Sequence, residues 1–117
     1  MPTATPMKPV IASDWWQLCP NPDIPEIGEP RGEVVDHCIF PAADGKWQLW
    51  TQIRGTSVGR IFYRWKGSTD IERPDWEPKG ICWEADQDCG ESWDTGEEGW
   101  IHAPYVCRTG GQYIMYY

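Results

Sequence analysis

The chain has 117 residues, is 40% hydrophobic and carries a formal net charge of −8, which suits one small globular domain. That acidic balance excludes a phosphate-backbone binder, which needs a basic stripe to displace counterions, so no nucleic-acid partner is expected. No stretch approaches the roughly 18 consecutive apolar residues of a spanning helix, so no membrane partner is expected either.

Residues 1–33 carry seven prolines, from Pro2 to Pro30, which exclude a helix or a central strand. They predict an extended lead-in draped over a sheet. Within it, Asp14-Trp15-Trp16 either packs on that sheet or lines a cleft. The first twenty residues lack a signal-peptide apolar core, which predicts a cytoplasmic location. The five cysteines form no CxxC pair and only His37 and His102 could join them. No metal site is therefore expected, and the thiols read as small core residues in a reducing compartment.

Residues 34–66 alternate apolar and polar in three segments and predict three antiparallel strands. In the first, Val35, His37 and Ile39 fall on one face and Asp36, Cys38 and Phe40 on the other. Pro41 and the Asp44-Gly45 turn then reverse the chain. Trp47, Leu49 and Thr51 alternate with Gln48, Trp50 and Gln52 before Gly55 to Gly59 turn the chain again. Ile61 to Trp65 form the third strand, and Pro78 to Glu84 a fourth. Gly55-Thr56-Ser57-Val58-Gly59 fits GxSxG, but a nucleophile elbow leads into a helix and this segment leads into a strand, so it reads as a hairpin loop. Neither GxGxxG nor a P-loop occurs, and no nucleotide cofactor is expected.

Residues 86–99 are acidic and Gly-containing, as a surface loop should be. Glu91 in CGESW is the best local candidate for a second carboxylate, while Asp94, Glu97 and Glu98 read as a solvated face. The strand pattern then restarts at Trp100, turns at Gly110-Gly111 and continues to Tyr117. Sliding this stretch over the first hairpin at an offset of roughly 66 residues sets Gly111 on Gly45, Tyr113 on Trp47 and His102 on Asp36. The nine tryptophans serve as sheet bulk or as flat faces for sugar rings.

These segments, VVDHCIFPAADGKWQLWTQIR, GRIFYRWKGS, DWEPKGICWEAD and WIHAPYVCRTGGQYIMYY, resemble the opening blades of five-bladed β-propeller glycoside hydrolases, the superfamily of families 43, 32 and 68. The resemblance covers residues 34–117 and implies an all-β propeller fragment. Residues 34–85 would be one complete four-stranded blade and residues 100–117 a truncated second one. The chain would then be the N-terminal piece of a longer protein whose remaining blades complete the ring. Asp36 matches the carboxylate that acts as general base or nucleophile on a carbohydrate substrate, and the acid that protonates the leaving oxygen would lie in a later blade. His37, Arg54, Glu91, Trp100 and His102 would contact the sugar. Asp36 is followed by His37-Cys38 where the family motif has proline, and His102 stands where many relatives have tryptophan. The competing reading is a non-catalytic sugar-binding or structural propeller. In it Asp36 anchors a turn, Arg54 pairs with a loop carboxylate, and the histidines are satisfied sheet residues.

Overall fold

The structure, a computed structural model, describes residues 8–25, 28–91 and 100–117. It is all-β. Strands β1 (Gly28–Pro41), β2 (Trp47–Thr56), β3 (Gly59–Lys66) and β4 (Glu77–Glu84) form an antiparallel sheet in sequential order. Strands β5 (Tyr105–Thr109) and β6 (Gln112–Tyr116) form a separate antiparallel hairpin. A short 3-10 turn, Gln87–Cys89, follows β4, and no helix among the described residues is long and apolar enough to cross a membrane.

The turns account for the up-and-down order. Gly45, with φ +76°, closes the β1–β2 turn, where Ala42 N–H donates to the Lys46 carbonyl over 2.8 Å. Gly110 and Gly111 both sit at positive φ, as a two-residue hairpin turn requires. The Gly55–Gly59 stretch is indeed a hairpin loop, with Thr56 paired to Gly59 and β3 running straight on from it.

β1 differs from the expected strand in two ways. It begins at Gly28 and contains Pro30, which is tolerated because β1 is an edge strand with one side free of ladder bonds. Between the pairs Val34↔Ile53 and His37↔Thr51 it carries one extra residue, a β-bulge at Val35 and Asp36 opposite Gln52. The bulge resets the alternation, so Val34 rather than Val35 shares a face with His37 and Ile39.

That face holds the core. Leu49, Ile53, Ile61, Tyr63 and Trp65 are buried there with Trp76 from the β3–β4 connection, and the lead-in supplies Leu18, Cys19 and Ile24 as cover. Because those three residues take the packing positions, Trp15 and Trp16 are left exposed, at 90% and 58%. Gly67 is required by the same core: a Cβ there would lie 2.9 Å from Trp76 Cε2. Gly67→Ala should therefore destabilise the protein by about 1–3 kcal/mol through overpacking. A chemical-denaturation midpoint unmoved by the substitution would refute this.

The opposite face carries the β5–β6 hairpin. Phe40 lies 5.9 Å from Trp50 and 6.1 Å from Tyr113 between ring centroids. The Tyr113 hydroxyl donates to the Pro41 carbonyl over 2.9 Å. At the other end Tyr117 packs edge-on against Phe62, 6.0 Å away. The hairpin thus lies over the sheet with β5 beside β1.

Candidate functional site

Asp36 sits on the bulge within β1, exposed, opposite Gln52, the residue that bonds the segment 100–104 on its way from β4 towards β1. A bulge leaves a backbone group without a ladder partner, and here the Thr51 hydroxyl supplies one, donating to the Asp36 carbonyl over 2.9 Å. The fold therefore uses the backbone of Asp36. Among the described residues its carboxylate is in no hydrogen bond or ion pair.

The crossing segment starts where the Trp100 N–H donates to the Glu91 carbonyl over 2.9 Å. Ile101 is buried, and Ala103 N–H donates to the side-chain carbonyl of Gln52 over 3.1 Å. Trp100 and His102 were expected inside a strand, but β5 begins only at Tyr105. Ala103 has φ +27° and Pro104 has no N–H to give a ladder.

Three side chains meet on this segment. The Arg60 guanidinium lies 4.1 Å above the centroid of the Trp100 ring, and its Nη1 is 2.7 Å from His102 Nδ1 and 2.9 Å from Nε2. The Trp100 and His102 rings are 5.6 Å apart. Burial and then the Arg60 charge push the His102 imidazole below its ordinary pKa, against the opposing pull of Asp36. A neutral imidazole beside Arg60 is the form that can accept the guanidinium hydrogen bond. Arg60 was not singled out in the sequence. Its only signal was its place at the start of the third strand.

The other expected site residues are placed elsewhere or already engaged. His37 lies on the core face of the sheet, where it lines a cavity of about 420 Å³ between the lead-in and β1, β2 and β3, floored by Leu49 and Trp65. Asp36 and His37 therefore serve different surfaces. Arg54 pairs across the strands with Glu33, Nη2 to Oε2 2.5 Å, with both side chains about half exposed. Such a pair contributes about 0–1 kcal/mol.

Glu91 accepts from the Asp86 N–H over 2.7 Å, from Trp83 Nε1 over 3.2 Å and from the Tyr117 hydroxyl. It is thus a clamp that ties β6 to β4. Burial alone would raise its carboxyl, but these donors outweigh that and hold it below the ordinary glutamate value. Its contribution to docking the hairpin is present above that ordinary value of 4.5 and is lost as pH falls through the depressed one. Acidification below pH 4.5 should loosen Tyr117 from Phe62 and Trp83, read as a change in near-ultraviolet circular dichroism, and Glu91→Gln should remove that acid step. Asp94, Glu97 and Glu98 lie outside the described residues. Compared with protein-family models, curated proteins and solved structures, the chain has no match.

Proposed function

We propose that this chain belongs to a propeller-type glycoside hydrolase, with Asp36, on the bulge of the innermost strand of one blade, as general base or nucleophile. One observation carries the reading: β1 and β5, the first strands of two successive antiparallel units, lie side by side, and Ala103, just before β5, is hydrogen-bonded to Gln52, the residue opposite the bulge that carries Asp36. Blades of a propeller pack around a central channel, and a second antiparallel unit laid beside the first strand of the sheet supports that reading.

The chemistry asks for little from this half of the site. Glycoside cleavage needs one ionised carboxylate and one protonated acid on either side of the bond, and an exposed, uncommitted aspartate provides the first. Trp100, with Arg60 on its ring, offers a flat flank against which a sugar can be oriented, and neutral His102, its acceptor nitrogen facing Arg60, has one N–H to donate. A protonated carboxylic acid on the other side of the bond would complete the pair.

The test is to incubate the full-length protein with a panel of aryl glycosides and polysaccharides and to assay released reducing ends, for the unmodified protein and for Asp36→Asn. Turnover that the substitution removes while sugar binding persists supports the reading. Binding without turnover in either protein would instead identify a sugar-binding propeller module.

A further inference from the structure

We propose that Gln52 is a positioning residue: its side-chain carbonyl holds residues 102 and 103 in a conformation they would otherwise leave, and so fixes where His102 stands relative to Asp36. Its catalytic consequence rests on the function proposed above, whereas its structural consequence does not.

Gln52 is 1% exposed in the middle of β2. A glutamine so deeply buried is a cost unless its polar atoms are used. Here the carbonyl oxygen accepts from the Ala103 N–H, 51 positions along the chain. It is the one residue of β2 opposite the two-residue bulge that carries Asp36. The same side chain therefore touches the segment holding His102 and stands across the ladder from Asp36.

Ala103 explains why such a hold is needed. Its φ of +27° is the only positive φ at a non-glycine among the described residues, and a left-handed alanine costs about 1–2 kcal/mol. Pro104 follows it, restricting its backbone further. Strain of this kind persists only where the surroundings over-determine it, and the buried Gln52 carbonyl is the fixed partner on the sheet side. Releasing it should let residues 102–104 relax and His102 swing away from Arg60 of β3, Asp36 of β1 and the Trp100 ring, the groups that face it.

The experiment compares the full-length protein with Gln52→Met, which keeps volume and loses the acceptor, and with the double variant Gln52→Met/Ala103→Gly, in which glycine takes the positive φ freely. His102 is followed by NMR titration of ¹³C-labelled histidine. Gln52→Met should raise the His102 midpoint towards the ordinary value, as burial and the Arg60 charge are relieved. The double variant should bring it back. Where the protein turns over glycosides, Gln52→Met should lower kcat by about 10- to 100-fold with little change in KM. A folded Gln52→Met protein with an unmoved His102 titration overturns the proposal, whatever the protein's activity. Absence of turnover in the unmodified protein sinks the hydrolase reading but leaves the titration to decide Gln52. If Gln52→Met does not fold, hydrogen exchange at Ala103 in the unmodified protein decides: strong protection supports the hold, and exchange at an exposed-loop rate overturns it.

Discussion

Asp36→Asn should reduce glycoside turnover of the full-length protein by about 10²- to 10⁴-fold, the usual contribution of a positioned base, while leaving its stability within about 0.5 kcal/mol. The two halves of this expectation have separate causes. Asparagine keeps the shape of the side chain and the backbone carbonyl that the Thr51 hydroxyl binds. No described group relies on the carboxylate for a hydrogen bond or ion pair, so little of the fold is lost with its charge. Asparagine cannot take a proton from water or form a glycosyl ester, so the chemistry is lost with it. Asp36→Glu, which moves the carboxylate outward by one methylene, should retain part of the rate. A melting temperature that fell along with turnover would mean that Asp36 is a structural anchor instead. Unchanged turnover at unchanged stability would remove it from the mechanism.

The strands were legible because their signals are local. The alternation of Leu49, Thr51 and Ile53 with Trp50 and Gln52, and a glycine at Gly45, act over a few residues, and the structure follows them. The β1 bulge was not legible, since it arises from pairing two residues of one strand against one of another. For the same reason Gln52 read as an ordinary polar member of a strand. Its meaning appears only when residues 100–104 pass over it and Ala103 needs an acceptor. Glu91 reads in the sequence as a second carboxylate for the site, but in the structure it is engaged by donors from Trp83, Asp86 and Tyr117, separate places that no spacing links. The sequence suggests Asp36 at a strand start, whereas β1 begins at Gly28 and places it on an internal bulge. Its company, Arg60 stacked on Trp100 beside His102, is a product of tertiary crossing.

The largest stability effect should come from Trp65→Ala, at about 3–5 kcal/mol, the range for removing a large aromatic from a close-packed interior. Trp65 is 2% exposed and lies between the sheet and the lead-in, with its ring 4.7 Å from that of Tyr63. The cavity beside it already holds about 420 Å³, so deletion enlarges an existing space that the prolines flanking it, Pro20 and Pro22, have little freedom to fill. Trp65→Phe should behave differently. The Trp65 indole Nε1 is buried without a partner among the described residues, and an unsatisfied buried donor costs about 1–3 kcal/mol. Phenylalanine gives up some packing but also removes that donor, and the two changes oppose each other. Trp65→Phe should therefore cost less than half as much as Trp65→Ala in equilibrium urea denaturation. If the two variants are equally unstable, the indole N–H has a partner that the Phe variant lacks. If both match the unmodified protein, Trp65 does not close the core, and the lead-in rests on the sheet through Leu18, Cys19 and Ile24 alone.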